Sequence, residues 1–213
     1  AGFAALCFRL GIEWLQTLVY GTPDVNTLHS FAETLPWYLG VLIPILGGTV
    51  VGLILHFFTP DARVRSVSDV IEGAALNDGR VEKKAGIASA LCSWITLSTG
   101  GSSGREGPVV HIAAMMSSWV SNLIRADGIT GRDLLGCAVA AAVSASFNAP
   151  IAGAIFSMEV LMGRLAGDFL LVMLTSLTST FIAPAYLGNS PAFSAPSSEL
   201  VSAAELPLYF GLG

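Results

Sequence analysis

Charge is what this sequence has least of. Of its 213 residues only 12% are Asp, Glu, Lys or Arg, about half the share of a typical soluble domain. With 10 Lys+Arg against 15 Asp+Glu the net charge is -5. That leaves no basic surface for a phosphate backbone and excludes a nucleic-acid partner. Cysteine is scarce too: Cys7, Cys92 and Cys137 lie far apart in apolar text without C-x-x-C spacing, so neither a disulfide framework nor a zinc site is indicated. The three histidines, His29, His56 and His111, include no H-x-x-x-H pair, which argues against a metal centre. No cofactor is expected. The first methionine is Met115, so the sequence is expected to be a segment of a longer chain.

What is present is hydrophobicity, at 53% of residues and a mean hydropathy of +0.70. About 20 apolar residues cross a bilayer core as a helix. Charge-free runs of that order are Leu35 to Phe58, Ala85 to Gly104, Leu134 to Met158 and Phe169 to Ser198, with a shorter one from Pro108 to Ile124. Ala1 to Tyr20 is apolar apart from Arg9 and Glu13, which are spaced to pair on one helical face, and it reads as a first helix rather than a signal peptide. The fold class expected is an all-α polytopic membrane protein. Residues 59–84 hold Arg63, Arg65, Arg80, Lys83 and Lys84, while 22–34 hold only Asp24 and Glu33. The positive-inside bias puts the first loop in the cytoplasm and the second outside. Trp14, Trp37, Trp94 and Trp119 fall near run ends, as interfacial anchors do.

The helices are expected to be close-packed and broken. Gly47, Gly48 and Gly52 mark one small-residue face, and Ala138 to Ser146 another. Pro36, Pro44, the Gly100–Gly107 cluster, Pro150 and Pro184 interrupt apolar text, which is tolerated only inside protein or beside a wet cavity. Broken helices of this kind point to ion handling.

The chemistry concentrates in Ser98-Thr99-Gly100-Gly101-Ser102-Ser103-Gly104-Arg105-Glu106-Gly107-Pro108. Pro108 suits the first position of a helix, so the residues before it offer unpaired N–H groups where partial positive charge collects. Such a terminus binds anions without the full charge that would hold an ion too tightly to conduct. Glu106 then competes for the same dipole: it occupies the site, swings away or takes a proton and leaves. The alternative is a static cap neutralised by Arg105. Three enzyme-like motifs overlap this stretch. Gly100-x-Ser102-x-Gly104 matches a nucleophile elbow and makes Ser102 a candidate hydrolase nucleophile, but lacks the strand context and a distant downstream His. The P-loop and dinucleotide fingerprints fail on spacing and on the carboxylate.

Gly104-Arg105-Glu106-Gly107-Pro108 resembles the G-[KR]-E-G-P signature of the CLC chloride channels and chloride–proton exchangers. Ala140 to Glu159, containing Phe147-Asn148-Ala149-Pro150-Ile151-Ala152-Gly153 and Phe156-Ser157-Met158-Glu159, is similar to that family's F-N-A-P-[LI]-A-G and F-x-x-E stretch. The resemblance covers nearly the whole chain but about half of a family subunit. It implies the first inverted repeat over 1–190, and a linker with the start of a second repeat over 191–213. It also implies voltage-gated chloride transport, a homodimer using about Leu134 to Leu187, and a bacterial inner membrane.

By resemblance Glu106 is the gating glutamate, and Gly104, Arg105, Glu106, Gly107 and Pro108 surround the anion. The family's inner proton glutamate falls at Val160, behind Glu159. Valine carries no proton, which favours a channel, with proton-coupled exchange the alternative. Glu159 itself is a titratable candidate or a helix-end charge pairing with Arg164. The family's G-S-G-[IV]-P motif has lost its glycines around Arg65-Ser66-Val67. Ser66 or Ser68 stands in for its serine, and Arg65 either holds anions or serves as a topology charge.

Overall fold

The computed structural model describes residues 2–21, 36–104, 106–162 and 169–187. The described residues form eight α-helices: α1 Gly2–Tyr20, α2 Trp37–Phe58, α3 Val67–Leu76, α4 Lys83–Ser98, α5 Glu106–Ile124, α6 Gly128–Phe147, α7 Pro150–Phe156 and α8 Phe169–Leu187. A π-helical segment, Ser157–Met162, follows α7. Among the described residues there is no strand.

Local chemistry sets the boundaries. Pro36 caps α2. Ser66 and Asp69 form a capping box on α3, with the Ser66 N–H donating to Asp69 Oδ2 at 2.7 Å. The Asp127 carboxylate accepts the Thr130 N–H at 2.8 Å and starts α6. Asn148 ends α6 in the left-handed region at φ 54°, a conformation that Asn tolerates better than most residues. Pro150 then starts α7. The charge-free run from Leu134 to Met158 is thus broken at Asn148–Ala149, where the sequence placed a breaker. Pro44 behaves otherwise and sits inside continuous α2.

α6 is the hub, packed by α1, α5, α7 and α8. Its partners meet it through three clusters. Phe8 and Ile12 of α1 pack on Val109, Ala113, Ala142 and Ala145. Val70 and Ala74 of α3 join Val110, Ala114, Leu135 and Val139. Ala140 packs on Ala154, Met158 and Val172. The interior is otherwise built from small residues: Ala85, Ala88, Ser89, Ser93, Ser118, Ser144, Ser157 and Ser176 are buried. Buried serines bond back to their own helix, as Ser89 does to the Ala85 carbonyl and Ser118 to the Ala114 carbonyl, while their Oγ atoms accept the Arg65 and Val81 N–H groups.

The exterior inverts this pattern. Trp37, Phe181, Leu170, Leu18 and Phe57 are all more than two-thirds exposed. In water each such side chain left unburied forgoes about 1.5–3 kcal/mol. An Ala/Ser/Gly interior beneath a Leu/Phe/Trp surface is the arrangement that lipid, rather than water, favours. α2 is long and apolar enough to cross a bilayer by itself, at mean hydropathy 2.2. Among the described residues it is the one helix that is, since Pro150–Leu161 and Phe169–Ile182 are apolar but shorter. The other charge-free runs carry enough Ser, Gly and Thr to lower their hydropathy, and α4 and α5 are separated by the glycine-rich turn.

Two expected features are corrected. Of Gly47, Gly48 and Gly52 only Gly47 is a packing glycine: Thr99 fills the space where its Cβ would be, whereas Gly48 and Gly52 face open space. Trp94 is not an anchor but half-buried, stacked on Phe8 and donating its indole N–H to the Phe8 carbonyl at 3.0 Å. Trp14, Trp37 and Trp119 are exposed, as anchors are. The Arg9–Glu13 pair forms at 3.1 Å.

Candidate anion site

The chain leaves α4 through Thr99, whose N–H still bonds the Ile95 carbonyl at 2.9 Å. Gly100 then reverses it at φ +84°, a region open to glycine at little cost. The Gly101 N–H returns to the Thr96 carbonyl at 2.8 Å. Residues 101–104 run without regular structure to Glu106, the first residue of α5. Helix α5 starts two residues earlier than Pro108 suggested. Proline is tolerated there because the first-turn N–H groups have no intrahelical partner anyway.

Three elements hold the turn. Gly47 of α2 seats against Thr99. The Tyr20 hydroxyl at the end of α1 lies 3.2 Å from the Cβ position of Gly100. Ser66, the cap of α3, approaches Gly107, whose Cβ position is 3.8 Å from Ser66 Cα. Two helix N-termini, those of α3 and α5, therefore face each other across a gap about one methyl group wide. Each contributes roughly half a positive charge. Pro108 is buried, whereas Ser102, Ser103, Gly104 and Glu106 are exposed in this chain. The Glu106 carboxylate turns back over the loop, with Oε2 2.9 Å from the Cβ position of Gly104. Among the described residues no hydrogen bond or ion pair holds it. Arg105 lies outside the described residues, and with it the static pairing proposed for Glu106.

On the α3 side the charges are paired. Arg65 bonds Asp61 at 3.0 Å, Asp69 at 3.2 Å and Glu82 at 3.1 Å, and Arg63 bonds Asp61 and Asp69, each at 2.7 Å. Burial opposes ionisation of Asp69, but the Ser66 N–H and the two guanidinium groups outweigh it and hold its carboxyl below the usual range. The Arg63 hydrogen bond does the same for exposed Asp61. Arg65 is thus enclosed by three carboxylates and offers no free charge to an anion. Its N–H donates to Ser89 Oγ at 2.8 Å, fastening the segment to α4. The Ser66 and Ser68 hydroxyls bond each other at 2.7 Å. The four-residue spacing of Asp61, Arg65 and Asp69 is the one sign of this clamp in the sequence.

The remaining candidates lie apart. Glu159 is exposed and Val160 half-buried on the π-helical segment. Arg164, His29, the 22–34 loop and residues 191–213 lie outside the described residues. His56 is exposed and His111 buried. Among the described residues no group of His, Cys, Asp or Glu is placed to hold a metal.

The family described as voltage gated chloride channel matches residues 47–213. A putative chloride channel protein ClcB-like from Ralstonia nicotianae is 31% identical over 99% of this chain and 50% of its own length. The chloride channel protein CLC-f of Arabidopsis thaliana is 29% identical over the whole of this chain and 28% of its own length. The voltage-gated ClC-type chloride channel ClcB of Yersinia pseudotuberculosis is 30% identical over 82% of this chain and 40% of its own length. The chain spans about half or less of the length of these relatives.

Proposed function

The chain belongs to the voltage gated chloride channel (CLC) family of polytopic membrane proteins, and from that membership we propose that it forms part of a chloride pathway across a membrane, gated by Glu106. Its family consists of transport proteins rather than enzymes, so Ser102 is read as part of the turn and not as a nucleophile. The observation that carries the proposal is the meeting of two helix N-termini at Ser66 and Gly107. A halide there would be held by partial charges and backbone N–H groups from both sides. No full positive charge would trap it, because Arg65 is already paired.

Glu106 would contest that place. Its carboxylate stands at the start of α5 and is held by no other described residue, so it would move at little enthalpic cost. While ionised it repels an incoming anion; once protonated it no longer competes for the dipole. Gly104, Gly107 and Pro108 keep side-chain bulk out of the approach, with Arg105 beside them. Val160 at the inner proton position makes a channel the preferred reading, with Glu159 as the nearest titratable alternative. Coupled proton exchange is the second reading. The pathway would be completed by a second repeat of the same subunit, in a homodimer of the bacterial inner membrane.

Chloride efflux from liposomes carrying the full-length protein, with pH recorded simultaneously, tests this. Chloride movement without proton counter-movement is expected. Stoichiometric proton movement would replace the channel by an exchanger, and absence of chloride flux would remove the assignment.

A further inference from the structure

His111 stands on α5, five residues and so about 7.5 Å of helix rise beyond Glu106. It is 2% exposed. Neither ring nitrogen has a hydrogen-bond partner. Polar groups buried this deeply are nearly always satisfied, so an imidazole left open on both sides calls for a partner, and its bare nitrogen is free to accept a proton. Space is made for the ring deliberately: a Cβ on Gly86 would lie 2.6 Å from Nε2 and 2.5 Å from the sulfur of Met115.

The charges that reach the ring come from the clamp. They are Asp69 in the first turn of α3, Arg65 just before it, and Glu82 just before α4. The Glu82 carbonyl also approaches the ring, though not in hydrogen-bond geometry. The Glu82 side chain is 55% exposed, so one of the carboxylates whose charge reaches the imidazole faces solvent. Elsewhere around α5 the charges are engaged or outward. Arg9 and Glu13 of α1 pair with each other, and Arg132 of α6 faces Asp78. Asp133 of α6 has a partner of its own. Lys83, Lys84 and Glu72 are exposed, and Cys92 of α4 is buried.

We propose that His111 is a proton-binding residue of the anion pathway, reached from the side bearing the 59–66 loop through Glu82, and that its protonation favours anion entry at the Glu106 turn. Imidazole is the side chain whose charge changes near neutral pH. Taking one proton from water adds one positive charge behind the N-terminus of α5, where it reinforces the helix dipole. It acts on the side opposite to a pore-facing Glu106. The inference rests on the chloride-pathway reading, and the experiment separates the two.

Chloride flux is measured in liposomes with the full-length protein, varying pH between 5.5 and 7.5 on the 59–66 side. The gate is neutralised by Glu106→Gln, so that its own titration is absent. Flux is expected to rise roughly tenfold on acidification, the effect of a unit charge about 10 Å away in a partly screened site. Adding His111→Gln or His111→Asn should reduce that ratio to below about twofold. An unchanged ratio in both variants overturns the role of His111 while leaving chloride transport standing; absence of flux throughout removes the transport reading itself. Should neither variant assemble, full-length protein in which every other histidine, His29 and His56 included, is replaced by Gln leaves the His111 ring alone for 15N NMR. A ring that gains a proton between pH 8 and 5 supports the proposal, and one that stays neutral throughout overturns it.

Discussion

Ser66 and Gly107 face each other: the Cα of the first lies 3.8 Å from where a side chain would begin on the second. This approach brings the N-terminus of a ten-residue helix up to that of a nineteen-residue one. Like ends of helix dipoles repel, so the arrangement costs free energy unless something negative answers it. Asp69 answers at the α3 end through the Ser66 N–H. Glu106 or an anion answers at the other.

A larger residue at position 107 tests that approach. Gly107→Ala places its methyl at ordinary van der Waals distance and should leave the fold intact. Gly107→Val fills the gap between the termini. Chloride flux should fall at least tenfold in the valine variant, with an elution profile in detergent matching that of the unsubstituted protein.

Neutralising the gate gives a complementary result. With Glu106→Gln the carboxylate no longer competes, so chloride flux should persist and lose its dependence on pH at the face that Glu106 addresses. Flux recorded from pH 7.5 to 4.5 on that face checks this, and a retained pH profile would take Glu106 out of the gate.

The packing glycines separate cleanly. A Cβ at position 47 collides with Thr99, and overpacking of this kind costs about 1–3 kcal/mol. Gly47→Ala should lower the thermal midpoint in detergent. Gly48→Ala, facing open space, should not, and should gain slightly from helix propensity.

Acid should loosen the clamp. Asp69 has its carboxyl held below its ordinary 3.8 in the folded protein. A depressed carboxyl contributes stability that is fully present above its unfolded value and is lost as pH falls through the folded one. Unfolding midpoints measured from pH 6 to 3 should therefore drop below about pH 4. Asp69→Asn should lower the midpoint at pH 6 and flatten that drop.

Much of this arrangement is legible in the residues. The low charge, the apolar runs and the small-residue stripe from Ala138 to Ser146 give an all-α membrane protein directly, because composition alone decides what a bilayer accepts. The turn from Gly100 to Pro108 announces itself through glycine. Other features depend on neighbours that no sequence window contains. Gly47, Gly48 and Gly52 look alike until Thr99 is seen against one of them. Pro108 marks a helix start only to within a turn, since every early position lacks an intrahelical partner. Arg65 reads as a topology charge because Glu82, seventeen residues on, closes the ring of carboxylates only in three dimensions.

The π-helical segment at Ser157–Met162 has a consequence of its own. Such a wide turn accommodates a residue that an α-helix would have no room for. Removing one residue there would let the coil tighten into an α-turn, so the loss would be absorbed within Ser157–Met162. Glu159 and Val160 lie inside that turn, so the compass bearing of the valine is fixed by a supernumerary amino acid as much as by its own identity.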